Sequence, residues 1–106
     1  MDDLPGRRRI DFAAINRAAL RQIDLILARW LPGGRREGAE YVVLNPKRPD
    51  KKPGSFKINT MTGAWSDFAI GVKGRDLISL AAFLFDLSQA EAARRVADML
   101  GVDLYG

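Results

Sequence analysis

Lys47, Arg48, Lys51, Lys52 and Lys57 lie close together in the chain, and Trp65 follows them. Cations at such spacing could follow a phosphate backbone, and an indole ring beside them could stack on an unpaired base. Lys73 and Arg75 come next, just ahead of Asp76. If a helix starts there, they could add an anion site at its N-terminus. The competing reading of the same residues is a solvated, lysine-rich loop with Trp65 packed against a helix. Other chemistry is excluded by absence. With no cysteine and no histidine, there are no disulfides, thiolate or imidazole metal ligands, Ser-His-Asp triads or Cys-His dyads. Asp76 has no paired carboxylate nearby in sequence. It therefore reads as a helix cap rather than a metal ligand or catalytic acid.

The chain has 106 residues and a net charge of +4, enough for one domain and one modest core. Charge is unevenly placed. Residues 1–34 carry +2, residues 35–75 carry +5 and residues 76–106 carry −3. A basic middle closed by an acidic end suits a polyanionic partner. No apolar run approaches the roughly 20 residues of a membrane span, and the N-terminus lacks the apolar core of a signal peptide. A cytoplasmic protein is expected.

The elements that must position these residues can be read in order. Residues 1–9 contain Pro5-Gly6 and Arg7-Arg8-Arg9 and read as a frayed end. From Asp11, DFAAINRAALRQIDLILARWL reads as one amphipathic helix with Ile15, Ala19, Ile23, Ile26, Leu27 and Trp30 on one face, ended by Pro32-Gly33-Gly34. Arg35-Arg36-Glu37-Gly38 reads as a charged turn, and residues 40–44 as a strand. Pro46, Pro49, Pro53 and Gly54 impose an irregular basic loop. Residues 55–59 and 64–68 read as a hairpin with Phe56 and Ile58 inward; if Phe68 points inward as well, Trp65 points outward. Residues 69–75 form a glycine-containing connection. The apolar helix after Asp76 should be central and buried, and Ser88-Gln89-Ala90-Glu91 should cap a last helix that Gly101 stops. The expected fold is α+β, a small three-stranded antiparallel sheet packed with about three helices.

Three motifs carry a family resemblance: Asn45-Pro46-Lys47-Arg48, Lys52-Pro53-Gly54-Ser55-Phe56, and Trp65-Ser66-Asp67-Phe68-Ala69-Ile70-Gly71 followed by Gly74-Arg75-Asp76-Leu77-Ile78. In this order they resemble the N-terminal zinc-binding, zinc-ribbon domain of bacterial, phage and plasmid DNA primases, collinear from about Ile10 to Leu104. The resemblance implies zinc ligands at Asn45, Arg48, Asp67 and Ile70. These pairs keep the spacing of the family and none of its coordination chemistry, because arginine and isoleucine cannot bind zinc. A metal-free domain with no cofactor is expected. Ile70 and Phe68 packed into the hairpin base, with a semi-exposed Arg48–Asp67 ion pair, would replace the metal.

The resemblance further implies a non-catalytic module that engages single-stranded DNA in replication of a phage, plasmid or mobile element. Its binding residues would be Lys47, Arg48, Lys51, Lys52, Lys57, Trp65, Lys73 and Arg75. The alternative is an adaptor that docks on a primase, helicase or other replication protein, or a remnant of a longer primase-helicase. Chelator treatment should leave the melting temperature unchanged; a large drop would refute the metal-free reading.

Overall fold

The computed structural model describes residues 8–48 and 54–105. Residues 1–7 of the expected frayed end, and Lys51 and Lys52, lie outside them. Two helices open the described chain, α1 (Phe12–Arg21) and α2 (Ile23–Trp30). The Asp11 carboxylate caps α1 by accepting from the Ala14 amide at 3.0 Å. The single long helix expected here is broken at Gln22, whose N–H is shared between the Ala19 and Leu20 carbonyls. That tightened turn starts a new helix, and the apolar stripe continues across it: Ile15, Ala19, Ile23, Ile26 and Leu27 are all buried.

The sheet is larger than expected. Among the described residues it is five-stranded and antiparallel, in the order β1 (Arg35–Glu37), β2 (Glu40–Val43), β3 (Phe56–Asn59), β4 (Trp65–Asp67) and β5 (Val72–Gly74). Both extra strands come from stretches that read as turns. Glu37 pairs with Glu40, so only Gly38-Ala39 turns, and the charged residues before them are strand. On the other side, the Gly71 amide donates to the Asp67 carbonyl at 2.9 Å, with Gly71 at φ +69°. This glycine conformation reverses the chain. Val72 is thereby laid against Asp67. Neither extra strand has an apolar alternation that periodicity could detect.

Two helices complete the fold, α3 (Leu77–Phe85) and α4 (Gln89–Leu100). Among the described residues the helices therefore number four rather than about three. Asp76 caps α3 as expected, accepting from the Ser79 amide at 2.8 Å, while the Ser79 hydroxyl accepts from the Asp76 amide. Asn16 of α1 reaches across to accept from the Ile78 amide at 3.1 Å. Ser88 accepts from the Glu91 amide, and Gly101 ends α4 in the left-handed region. The expected central helix is buried at Leu77, Ile78, Leu80 and Ala81, but its last residue, Phe85, is exposed.

Sheet and helices meet through aromatic packing. Phe56 and Trp65 sit edge-on with centroids 6.2 Å apart, and Phe83 of α3 covers both. The Trp65 indole N–H donates to Ser79 Oγ at 3.0 Å, so the ring is held by a polar tether as well as by burial. Gly74 lies directly against this ring: a Cβ there would overlap Trp65 Nε1 and Ser79 Oγ. Gly74→Ala should destabilise the protein by about 1–3 kcal/mol, read from the urea midpoint. An unchanged midpoint would show that the Trp65–α3 contact is looser than this geometry.

Candidate functional site: a buried polar clasp and a basic outer sheet face

Asp67 is the last residue of β4, and alternation along the strand places it on the same side as Trp65. Both face inward, the reverse of the expected orientation. Trp65 is only 6% exposed, whereas Phe68 is 71% exposed and Ile70 is exposed with it. Neither Phe68 nor Ile70 packs into the hairpin base.

The space between the two turns is filled by polar groups. Asn45 Nδ2 donates to Asp67 Oδ2 at 3.0 Å. Arg48 Nη1 lies 3.3 Å from the same oxygen and donates to Ser55 Oγ at 2.7 Å. The Ala69 amide donates to Asp67 Oδ1 at 2.9 Å. Asn45 also organises its own turn, accepting from the Lys47 amide on its side chain and from the Arg48 amide on its carbonyl. The ion pair anticipated between Arg48 and Asp67 therefore forms, but it is not semi-exposed: the two side chains are 8% and 0% accessible.

A zinc ion does not fit this arrangement. The Arg48 guanidinium points its charge at the one carboxylate, Asn45 presents its amide nitrogen to it, and Ile70 turns outward. No group of three or more His, Cys, Asp or Glu side chains able to hold a metal occurs among the described residues. A positive charge still sits between the turns, supplied covalently by Arg48.

The clasp makes a statement about acid stability. Burial pushes the Asp67 carboxyl upward, but hydrogen bonds from Asn45, the Ala69 amide and Ser55, with the Arg48 charge, outweigh it and hold its pKa below the ordinary 3.8. Because the folded value lies below the unfolded one, this stabilisation is complete above the unfolded pKa and is lost as pH falls through the folded pKa.

The opposite side of the sheet carries the cations. Register places Arg35, Val42, Lys57, Ser66 and Lys73 in one row across all five strands. With strands about 4.8 Å apart, the basic side chains on β1, β3 and β5 each stand about 10 Å from the next along the row. Lys73 and, just beyond it, Arg75 are exposed and pair with no acid among the described residues. Arg35 pairs with Glu37 at 2.6 Å, and Lys57 lies 3.8 Å from Glu40. Phe68 stands on this same side with Lys57 Nζ 6.0 Å from its ring centroid.

The expected binding residues are thus dispersed. Lys57, Lys73 and Arg75 lie at or beside the outer face. Lys47 is tied to Asp86 and lies 5.6 Å from the Phe83 ring centroid, and Arg48 is buried in the clasp. Trp65, expected as a base-stacking ring, is in the core. The helix terminus beside Lys73 and Arg75 is already engaged, because the Ile78 and Ser79 amides donate to Asn16 and Asp76. Arg35 and Phe68 were not among the expected binding residues. The signal for Phe68 was the Arg48–Asp67 pair itself: a paired Asp67 facing in requires its neighbour to face out.

A crystal structure of the Aquifex aeolicus primase, comprising its zinc-binding and RNA polymerase domains, is similar to this chain with a TM-score of 0.74 and 28% identity. The likeness covers 91% of this chain and 23% of the Aquifex chain. The fold therefore resembles part of a primase. No protein-family model matches the chain, and no curated protein matches it in sequence.

Asp67→Asn removes the buried carboxylate on which Asn45, Arg48 and the Ala69 amide converge, so it should cost about 3–5 kcal/mol at pH 7. In urea unfolding the gap between the wild type and Asp67→Asn should close as the pH is taken below 3.8. A gap that stays constant with pH would show that Asp67 is not the acid-sensitive group.

Proposed function

We propose that this protein is a non-catalytic, primase-like module that holds single-stranded DNA on the outer face of its sheet. The observation that carries this reading is the row Arg35, Lys57 and Lys73 with Phe68 beside it. Cations at regular strand spacing neutralise successive phosphates. An exposed ring next to them offers a stacking surface that any base can use. Bases are free to stack in this way only when they are unpaired, which favours single strands over duplex. The likeness to a primase supports a role in replication, and the order of motifs from Asn45 to Ile78 resembles that of primase zinc-binding domains. Lys51 and Lys52 add positive charge that could contact phosphate as well.

A non-catalytic role fits the residue inventory. The chain has no cysteine or histidine, and its most buried carboxylate, Asp67, is saturated with internal donors. Such a carboxylate stabilises structure rather than exchanging protons with a substrate.

Labelled single-stranded and double-stranded oligonucleotides, titrated at two salt concentrations and followed by anisotropy, test the assignment. Binding should favour the single strand and weaken with salt. Phe68→Ala should cost about 1–3 kcal/mol of binding free energy. Lys57→Glu with Lys73→Glu should lower affinity and flatten the salt slope by about two ions' worth. Lys51→Glu with Lys52→Glu should act in the same direction. Wild-type affinity in both Phe68→Ala and Lys57→Glu/Lys73→Glu would remove the outer face as the site.

A further inference from the structure

We propose that the groove between α2 and α4 is a docking site for an acidic amphipathic helix of a partner protein. Two depressions, of about 380 and 210 Å³, lie on either side of Met99 and share it as a wall. Leu25, Leu100 and Val102 help to line the first, and Trp30, Phe85 and Leu87 the second. Leu25 is 70% exposed, and Phe85 and Val102 are exposed as well. Exposed apolar side chains clustered around paired depressions mark an interaction surface more than isolated ones do. Met99 between them is unbranched and can adapt to different occupants.

The rim decides the chemistry of the occupant. Arg21 and Arg29 line the first depression and Arg95 the second, and no acidic side chain lines either. None of the three arginines forms an ion pair among the described residues. Gln22, Leu25 and Arg29 follow one another at helical spacing along α2, as Arg95 and Met99 do on α4. The groove therefore runs along the helices. A partner helix laid into it would seat apolar side chains one or two turns apart in the two depressions and turn its carboxylates to the arginines.

Other occupants fit less well. A nucleic-acid backbone would meet the arginines but gains nothing from covering Leu25, Met99 and Val102. A second copy joined about a two-fold axis would bring Arg21, Arg29 and Arg95 against the same three residues, like charge against like. This surface lies on the helices, and its use does not depend on what the outer sheet face binds.

The test uses the full chain and two fluorescein-labelled helical peptides of about 18 residues, five turns in length. They share a Leu/Phe stripe and differ in carrying either Glu or Lys on the flanks. By anisotropy the Glu peptide should bind at least about ten-fold more tightly than the Lys peptide. Leu25→Glu, and separately Arg21→Glu with Arg29→Glu, should each weaken it about ten-fold. Lys57→Glu with Lys73→Glu should leave it unchanged. The substituted groove residues are exposed, and circular dichroism confirms that the variants fold. Equal binding of the two peptides, or wild-type affinity in both groove variants, overturns the proposal. So does a concentration-dependent dimer abolished by Leu25→Glu, which assigns the groove to a second copy. Displacement of the Glu peptide by an oligonucleotide whose own binding is lost in Arg21→Glu/Arg29→Glu also overturns it, in favour of nucleic acid.

Discussion

A buried carboxylate governs how the middle of this protein is built. Asp67 is fully removed from water and accepts from Asn45, Arg48 and the Ala69 amide. An aspartate so placed is tolerable only when its lone pairs are filled and its charge is opposed. The three groups that meet this demand come from both turns, so satisfying Asp67 also joins the turn before the basic loop to the turn after β4. In the zinc-ribbon domains that the sequence resembles, a metal ion makes this join from the same positions. Here the cation is the guanidinium of Arg48, which also donates to Ser55 Oγ, while Asn45 donates to Asp67. The two turns are therefore joined by polar contacts rather than by apolar packing.

The inward turn of Asp67 propagates through strand alternation. Since residues two apart share a face, Trp65 must also turn in, where it stacks on Phe83 and ties to Ser79 of α3. Ser66 and Phe68 must turn out. One buried polar group thus sets the hydrophobic contact between sheet and helix and also the aromatic group on the outer face. Gly71 then reverses the chain and brings Lys73 into the row already occupied by Arg35 and Lys57. The core, the clasp and the basic face are consequences of one register.

The molecule consequently presents two chemically different surfaces. The outer sheet face combines cations at strand spacing with an exposed ring. The α2–α4 groove combines arginines with exposed aliphatic side chains and no acid. The break at Gln22 helps to form the second, since Gln22 itself lines the groove.

Much of the fold was legible in the sequence. The stripe from Ile15 to Leu27, the caps at Asp11, Asp76 and Ser88, the stop at Gly101 and strands β2, β3 and β4 follow from periodicity and local hydrogen-bonding chemistry, which act over a few residues. The partnership of Arg48 with Asp67 was legible too, through the spacing of the motifs. The edge strands β1 and β5 were not, because strands of three residues take their identity from the strand beside them rather than from their own side chains. Nor was the facing of β4. Periodicity assumes that the apolar residue faces the core, and Phe68 is as apolar as Trp65. Only when Asn45, Arg48 and Ser55 are brought from distant positions to one carboxylate does the charged residue become the better one to bury. That choice rests on long-range desolvation and pairing, which exist only once the tertiary structure has assembled them.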